Sequence, residues 1–480
     1  MWLLTVQGCV LVGPDYIPPQ DQTPANWSSP VFGDSKETPA ASVDPQQLAQ
    51  WWQHLNDPLL TELINAAANN NWDLQEAQQR VREARARRGI AAADRWPTLS
   101  ASSSVSQSRV DPPDNPATHS KLYDASLDAR WELGLFGDRR RALEAASADA
   151  EASQEEHTDL LISVLAEVAL NYVDLRSLQS RLIITRKNLA SQTETLDIAR
   201  WRHLAGLTTQ VDVEQARQNL EQTRAQIPAL LTARQQAINR LSTLIGGYPG
   251  DLTDRLSAVE PIPIADLQIA VGVPADTLRQ RPDIRAAERR LAAQTARVGV
   301  ATAARYPDMS LIGSVGVETL SSRQLFDAKT LFTSAIADLG ITLFDAGRIR
   351  RNIEVQTASQ AQALARYEST VRLALEEVEN AMVAYLQEQQ RRSSLQSATD
   401  AAKLAAELIL SQYQSGLVDF QRVLDAERSL LTLQDQLATS KGQITATLIR
   451  LYKALGGGWT PTRADEPEAG TNPGTTAEAS

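Results

Sequence analysis

The sequence repeats itself at a fixed interval, and this duplication limits the possible folds more than any other feature. Motifs in the first half recur in the second half, and the separations (282 − 72, 305 − 95, 375 − 165, 416 − 206, 456 − 246) all equal 210. Chance matches would not share one offset, so the chain contains two copies of one unit. Near Leu135-Phe136 and Leu343-Phe344 the offset falls to 208 (343 − 135), as a difference in hairpin length would cause. The matching motifs are Trp72-Asp73-Leu74 with Pro282-Asp283-Ile284, Arg95-Trp96-Pro97 with Arg305-Tyr306-Pro307, Leu165, Glu167 and Val168 with Leu375, Glu377 and Val378, Gly206-Leu207 with Gly416-Leu417, and Gly246-Gly247 with Gly456-Gly457.

Each copy is predicted to begin with a helix and to continue into two short strands. The helices cover about 73–93 and 283–304, and Pro97 and Pro307 end them. Residues 123–135 alternate strictly between apolar and polar side chains, over a length close to the roughly 9–11 residues of a membrane strand. The alternation also fits an ordinary hairpin lying on helices, but its place between very long helices favours membrane strands. The other predicted strands are about 97–109, the face Met309, Leu311, Gly313, Val315 and Val317, and the face Leu331, Ala335, Ala337, Leu339, Ile341 and Leu343.

A helix of unusual length follows in both copies, over about 138–203 and 347–414. At 1.5 Å per residue each would reach roughly 100 Å. Apolar residues recur every seven positions, which is the coiled-coil interval. A companion row from Leu165 to Arg200 becomes polar away from the strands, which predicts looser packing at that end. Glycine turns reverse the chain, and the returning helices end at Gly246-Gly247 and at 456–458. The heptad rows are Leu161, Val168, Leu175, Leu182, Leu189 and Leu196; Val213, Leu220, Ile227 and Leu241; and Val423, Leu430, Leu437, Ile444 and Leu451.

Two units supply four strands per chain, and this number requires several copies to assemble. Four strands in lipid leave unpaired edges, and small closed barrels have about eight strands or more. Two copies would give eight strands and three would give twelve; a lumen wide enough for solutes favours three or more. Helical hairpins joined to such a barrel must project from the membrane and close into a tube. The architecture predicts a conduit rather than a catalyst.

Composition excludes several other classes of function. The net charge of −11 over 480 residues argues against nucleic acid as a partner, because phosphate binding needs clustered Lys and Arg. Cys9 is the single cysteine and the four histidines are scattered, so neither a disulfide nor a clustered metal site is expected. The sequence also lacks a Gly-rich phosphate loop and a nucleophile with a plausible base. We therefore expect no enzyme and no cofactor.

The first residues resemble the end of a bacterial lipoprotein signal. Gly8 precedes Cys9, and Val6 lies two positions earlier, as in a lipobox. Cys9 is thus a candidate for a covalent lipid; that it is an ordinary N-terminal residue stays open. Gly13-Pro14-Asp15-Tyr16 and the Pro-rich residues up to about 44 lack apolar periodicity, and we expect them to run extended across a surface.

Motifs along nearly the whole chain resemble the TolC family of outer-membrane efflux proteins, closest to its lipidated OprM/NodT branch. The resemblance implies a mainly α fold with a small β part: a long α-helical coiled-coil barrel plus four transmembrane β-strands per chain, forming a 12-stranded barrel in a homotrimer. It also implies a periplasmic adaptor and a proton-driven inner-membrane transporter of the RND type as partners. The motifs are Gly13-Pro14-Asp15-Tyr16, Trp51-Trp52 with Asp57-Pro58, the run Arg281-Pro282-Asp283-Ile284-Arg285-Ala286-Ala287-Glu288, Tyr413 with Gly416, the run Val423-Leu424-Asp425-Ala426-Glu427-Arg428-Ser429-Leu430, and Ala454-Leu455-Gly456-Gly457-Gly458-Trp459.

The resemblance suggests where the duct meets its adaptor and where it closes. The adaptor-facing turns would contain Gly206, Leu207 and Thr208 in one copy and Ser415, Gly416 and Leu417 in the other. These glycines would also be needed for the turns alone. Asp212 and Asp419 are candidates for a closing ring of carboxylates, although an acid after a turn more often caps a helix. The family's acidic pore position falls on Val418. We expect Arg428 and Asp425 to pair, and Arg281-Pro282-Asp283 to initiate a helix.

These expectations divide the chain into segments and leave three hypotheses for its function. The segments are 1–20, a residual signal with the lipidation site; 21–56, extended; 57–250, the first repeat; 251–273, a linker in an equatorial belt; 274–458, the second repeat; and 459–480, a disordered tail. The preferred function is a passive exit duct for drugs or small solutes in the outer membrane, with its helices in the periplasm. The exit duct of a type I protein secretion system is the alternative within this class, and a soluble coiled-coil scaffold is the alternative outside it.

Overall fold

Both copies of the duplicated unit share the order helix, two strands, long helix and returning helix. The computed structural model describes residues 11–19, 24, 27, 48–110, 118–264, 278, 280–325 and 327–459. After a short 3-10 helix at Trp51–Leu55, the first copy comprises α1 (Pro58–Asn70), α2 (Trp72–Ala93), β1 (Thr98–Val110), β2 (Thr118–Glu132), α3 (Asp138–Leu204), α4 (Gln210–Arg224) and α5 (Gln226–Leu244). The second copy comprises α6 (Pro282–Ala303), β3 (Asp308–Thr319), β4 (Leu331–Gly340), α7 (Arg348–Gln414) and α8 (Phe420–Ala454).

The predicted long helices are present in both copies. Helices α3 and α7 each contain 67 residues, which corresponds to roughly 100 Å. Along α3 the heptad residues Val168, Leu175, Leu182 and Leu196 are buried. We call the end of these helices near the strands the sheet end and the opposite end the turn end. None of the helices in the described parts of the chain combines the length and apolarity needed to cross a bilayer.

The returning helix differs between the copies. The heptad row predicts one continuous helix in each, and α8 is continuous over 35 residues. In the first copy the helix is interrupted at Ala225, between α4 and α5. Pro228 lies just after the break, where it removes a backbone donor, and the equivalent residue of α8 (228 + 210) is Ala438. The prediction of a single returning helix is therefore wrong for the first copy.

The interior of the helical bundle changes character along its length. The main hydrophobic core lies around the middle of the chain's long helices, where Trp51 stacks on Tyr452 with ring centroids 5.5 Å apart. Beyond Leu182 the buried side chains of α3 become polar: Thr185, Asn188, Gln192 and Thr195. A second hydrophobic cluster then closes the turn end. The sequence predicts helix packing that loosens steadily toward the turn end. The structure instead has a polar layer between two apolar clusters.

One buried link recurs in both copies although its residue differs. Asn71 Nδ2 donates to the Leu244 carbonyl at 2.9 Å, and Arg281 Nη1 donates to the Ala454 carbonyl at 2.7 Å. Both donors precede a short helix, and both acceptors end a returning helix; the pairs are 210 positions apart (281 − 71, 454 − 244). Pro282 occupies the first position of α6, as expected for helix initiation. Arg281 also joins α6 to α7, through Glu377.

The four strands form one antiparallel sheet in the order β1-β2-β3-β4. The register places Leu127 opposite both Ala101 and Val315, and Val315 opposite Thr333. The apolar residues of β1 and the predicted apolar faces of β2, β3 and β4 thus lie on one side of the sheet. Two predicted ends are wrong: β2 stops at Glu132, before Gly134 with its φ of +52°, and β4 stops at Gly340, so Ile341 and Leu343 lie outside it.

The described N-terminal residues, 11–19, lie across the sheet end of the helices. Tyr16 donates from its hydroxyl to Glu288 at 2.9 Å, and Arg141 pairs with Asp15 at 2.6 Å. Gly13 has a φ of +91°, and a Cβ there would come within 2.4 Å of the Gly299 Cα atom. The motif Gly13-Pro14-Asp15-Tyr16 therefore holds residues 11–19 against the helices. The first residue of the motif, Gly13, must lack a side chain. Cys9 and the tail after Trp459 lie outside the described residues.

Candidate functional site

The two turns at the turn end have the same backbone geometry. Gly206 and Gly416 have φ values of +71° and +76°. In the first turn Leu207 N donates to the Arg202 carbonyl at 2.8 Å, and in the second Leu417 N donates to the Gln412 carbonyl at 2.9 Å. This is the Schellman arrangement, which ends a helix with a residue in the left-handed conformation. A Cβ at either glycine would meet no atom within 4 Å, so the backbone conformation alone explains these glycines.

The acidic residues after the turns cap helices. Asp212 forms a capping box with Thr209 at the start of α4, and it also accepts from the Thr208 hydroxyl. Burial raises the pKa of Asp212, but hydrogen bonds from Thr208 and Thr209 outweigh burial and lower it overall. Asp419 is the N-cap of α8 and accepts from Arg422 N at 3.1 Å. The N-cap interpretation is confirmed for Asp419, whereas the N-cap of α4 is Thr209 and Asp212 completes the capping box from the third helical position. Val418 is half-buried against the cluster at the turn end.

An arginine that the sequence did not single out joins the two hairpins near the turns. The Arg202 guanidinium lies 4.7 Å from the centre of the Tyr413 ring and donates to the Tyr413 and Gln414 carbonyls at 3.2 Å. It therefore satisfies carbonyls at the C-terminus of α7 from the end of α3. Tyr413 is buried and its ring centroid lies 5.1 Å from that of Phe420. The neighbouring histidine, His203, contacts the Thr208 carbonyl at 3.1 Å within its own turn.

A partly buried carboxylate links three helices just beyond the polar layer. Glu427 of α8 accepts from the Thr195 hydroxyl of α3 at 2.6 Å and from Asn219 Nδ2 of α4 at 3.2 Å. Arg428 donates from Nε to the Asn219 side-chain oxygen at 3.0 Å, and its distance to Asp425 is 3.9 Å. Both direct donors to Glu427 are neutral, and burial raises the pKa of its carboxyl. The motif around residue 425 thus anchors α8 to both helices of the first hairpin.

The raised pKa of Glu427 predicts a pH-dependent contribution to stability. Since the folded chain favours the protonated acid, Glu427 contributes most below the pKa of 4.5 that glutamate has when unfolded, and it loses this contribution as the pH rises through the folded pKa. We expect the melting temperature of wild type, relative to Glu427→Gln, to rise as the pH falls from 7 to 5. Thermal melting monitored by circular dichroism measures this difference. A difference in melting temperature between the two proteins that does not change with pH would contradict this prediction.

The sheet separates a polar side from an apolar side. On the polar side Asp128 accepts hydrogen bonds from Ser102, Ser126 and Ser314 at 3.2, 3.0 and 2.7 Å. On the apolar side large residues are exposed in all four strands. Among the described residues, strands β1 and β4 each pair on one edge only. The exposed apolar residues on that side include Leu99, Val105, Leu127, Val315, Leu331 and Leu339.

The α7 helix is exposed in a way that α3 is not. In α7 the buried residues begin only at Ala374, so the sheet-end part of the helix has none. In contrast, α3 has buried residues along its entire length. Helix α3 packs against α2, α6, α8 and the α4–α5 pair, while α7 packs on α6 and α8 and leaves a flank open among the described residues. Apolar residues on α7 remain exposed: Val355, Leu364, Leu373, Val383, Leu404 and Leu408. In the parts of the chain that the structure describes, no three His, Cys, Asp or Glu residues are grouped to hold a metal ion.

A β-hairpin followed by a long helical hairpin is present twice in the chain, and the two β-hairpins form one open four-stranded sheet, which is the architecture of a membrane-duct subunit. Residues 63–247 and 273–457 both match the family described as Outer membrane efflux protein, and the two matches are 210 positions apart at both ends (273 − 63, 457 − 247). The chain belongs to this family.

Relatives cover the chain almost completely. Nodulation protein T of Rhizobium leguminosarum bv. trifolii is 31% identical over 95% of this chain and 96% of its own length. The solvent efflux pump outer membrane protein SrpC of Pseudomonas putida is 31% identical over 95% of this chain and 97% of its own length. Among solved structures, the outer-membrane channel OprN superposes with a TM-score of 0.87 at 35% identity, covering 94% of this chain and 100% of that one. The resemblance to the TolC family and the predicted fold class are therefore confirmed.

Proposed function

We propose that this chain is one subunit of a homotrimeric, passive exit duct in the outer membrane of a Gram-negative bacterium. Its partners would be a periplasmic adaptor and an inner-membrane RND-type transporter. The observation that carries the proposal is the sheet: four strands with two free edges and one continuous apolar side. Three copies would supply twelve strands (3 × 4) and close the edges, since backbone groups in lipid must all be paired. The helices would extend into the periplasm.

The open flank of α7 supports assembly along the helices as well as the sheet. A second copy placed beside α7 would cover its exposed apolar residues, such as Leu373 and Leu404, which are 56% and 58% exposed in the described part of the chain. Residues 251–264 wrap the bundle at mid-length, where Gln179 Nε2 donates to the Leu256 carbonyl at 2.8 Å and Thr445 to the Pro263 carbonyl at 2.6 Å. These contacts support the proposed equatorial belt. The remaining segment limits and the lipid on Cys9 stay proposals.

The turn end would be the regulated end of the duct. We assign adaptor contact to the two turns, with Gly206, Leu207 and Thr208 in the first and Ser415, Gly416 and Leu417 in the second. An adaptor that binds the open arrangement better than the closed one shifts the equilibrium toward opening. The candidates for the constriction are Asp212, Val418 and Asp419. The capping bonds of the two acids favour a role in fixing the turns, and Asp212 keeps its negative charge to lower pH than an ordinary aspartate because its pKa is lowered.

Small molecules are the favoured cargo. The name of the relative SrpC refers to solvent efflux, which favours small solutes over the polypeptides of a type I secretion system. Family membership disfavours the soluble scaffold.

A complementation experiment tests this proposal. Cells lacking the chain are compared with cells carrying it, together with its own adaptor and transporter, for export of the dye Nile red and for secreted proteins. We expect dye export to be restored with no change in secreted proteins. Restored protein secretion without dye export would support the type I alternative and overturn the proposal.

A further inference from the structure

The two turns are equivalent in backbone but opposite in the placement of their apolar side chains. In the second turn the large residues point inward: Tyr413 and Phe420 are buried in the cluster at the turn end. At the same positions the first turn has His203 and Gln210 (413 − 210, 420 − 210). In the first turn the large apolar residues are instead outside: Trp201 is 68% exposed, Leu204 83% and Val211 62%.

The second turn acts as an internal control for what the backbone needs. The residues equivalent to Trp201, Leu204 and Val211 are Ser411, Gln414 and Gln421 (each +210), and all three are exposed. Because the second turn forms the same Schellman geometry with these polar residues, the apolar residues of the first turn are not required for folding. Exposed clusters of large apolar residues mark interaction sites. We call Trp201, Leu204, Leu207 and Val211 the apolar tip.

Trp201 points away from the helices of its own chain that pack on α3. Helix α3 is flanked by α4 and α8 of its own chain, which bury Leu196 and Ala199. Trp201 follows Ala199 by two residues, so it points about 160° away from this contact around the helix axis. The open flank described above belongs to α7 rather than to α3. The apolar tip also lies roughly 100 Å from the sheet along α3, which removes it from the membrane that the sheet occupies.

Charges around the apolar tip are balanced. Arg200 pairs with Asp197 at 3.1 Å, and Arg217 pairs with Glu214 at 3.1 Å. Arg202 is directed at Tyr413. Neither an acidic nor a basic partner surface is therefore favoured. The surface fits a partner that presents apolar side chains at the end of a protein element, and such binding depends little on salt.

From this asymmetry we infer that the adaptor docks chiefly on the first-repeat turn, through the apolar tip, with an apolar end of its own. The inference rests on the proposed function. The second turn then contacts the adaptor only through Leu417 and backbone groups. Its aromatic residues pack inside and hold the two hairpins together. A trimer would offer three strong and three weak docking positions in alternation. Trp201 is the expected anchor, since buried tryptophans dominate binding energy at protein interfaces.

The test replaces the apolar tip with the residues of the second turn. The triple variant Trp201→Ser, Leu204→Gln, Val211→Gln is compared with Ile183→Ser, which removes an exposed apolar residue from the same helix face nearer the sheet. We expect the triple variant to assemble in the outer membrane at wild-type levels. Its affinity for the purified adaptor should fall roughly 30-fold, the factor that corresponds to one strong interface residue. Ile183→Ser should bind as wild type does.

Photo-crosslinking in cells identifies the occupant. A benzophenone amino acid at position 201 should crosslink to the adaptor, and one at position 411 should do so much less. Equal crosslinking at both positions, or a product with lipid or a second copy at position 201, overturns the inference. So does wild-type adaptor affinity in the triple variant. These results would leave the proposed function intact if wild type still exports Nile red; failure of wild type to export the dye would instead refute the function.

Discussion

Leu127→Arg is expected to prevent insertion of the chain into the outer membrane, whereas Ser126→Arg leaves insertion unchanged. The two residues are neighbours in β2, and the register assigns them to opposite sides of the sheet. Leu127 lies opposite Val315 at the centre of the apolar side, and a charge there would be placed in the middle of the lipid. An arginine at that depth costs about 2–4 kcal/mol in each copy, or about 6–12 kcal/mol in a trimer.

Ser126 is the matched control because its side chain lies on the polar side. It donates to Asp128 at 3.0 Å, so an arginine at this position would gain a carboxylate partner. The measurement is the amount of heat-resistant oligomer in purified outer membranes for the two variants and wild type. Equal insertion of both variants, or loss of Ser126→Arg alone, would show that the assignment of the two faces is wrong.

Arg281→Ala is expected to destabilise the helical part more than a substitution at the equivalent residue Asn71 or at an exposed arginine. The Arg281 side chain is buried, donates to the Ala454 carbonyl and pairs with Asp283 and Glu377, both at 2.8 Å. Removing it leaves two carboxylates and a carbonyl without their partner. Glu377 is 59% exposed and Asp283 26%, so water solvates the freed carboxylates in part, and the loss of these charged hydrogen bonds should cost about 2–3 kcal/mol. Asn71→Ala, at the equivalent position, removes only neutral hydrogen bonds and should cost about 1–3 kcal/mol.

An exposed ion pair provides the control for this effect. Arg240 pairs with Glu167 on the surface, and Arg240→Ala should cost less than about 1 kcal/mol. Thermal melting of the helical circular dichroism signal ranks the three variants in detergent. The expected order of destabilisation is Arg281→Ala, then Asn71→Ala, then Arg240→Ala. If Arg281→Ala and Arg240→Ala have the same melting temperature, the buried link contributes nothing to stability.

Periodicity and duplication predicted most of the fold because both depend on local spacing. The bounds of α3 and α7, the shared apolar side of the four strands and the glycine turns all follow from patterns within one segment of sequence. The exceptions also have local causes. Pro228 breaks the first returning helix, and Gly134, with its positive φ, lies just beyond the end of β2.

Contacts between distant residues were the part that the sequence did not predict. Arg281 was interpreted as a helix start, yet its acceptor at Ala454 lies 173 positions away. Arg428 was expected to pair with Asp425, but its shorter contact is with Asn219, 209 positions earlier. Arg202 was not singled out at all, since its aromatic partner belongs to the other hairpin. The duplication did contain one usable signal: Asn71 and Arg281 occupy equivalent positions, and both are long enough to reach the end of a returning helix.

The apolar tip also depends on contacts between distant residues. Sequence alone identified the turns, but it gave no means of separating the inward aromatic residues of the second turn from the outward Trp201 of the first. Helical phase relative to the packed neighbours decides this difference. Only the positions of α4 and α8 around α3 define that phase.

Imaging of the detergent-purified protein by electron microscopy tests the central claim most directly. One chain cannot pair its own strand edges in lipid, so three chains are expected to share one sheet around a common axis. We expect a threefold particle with a sheet at one end and a hollow helical cylinder of roughly 100 Å extending from it. A monomeric or twofold particle with the edges of β1 and β4 still unpaired would contradict the account.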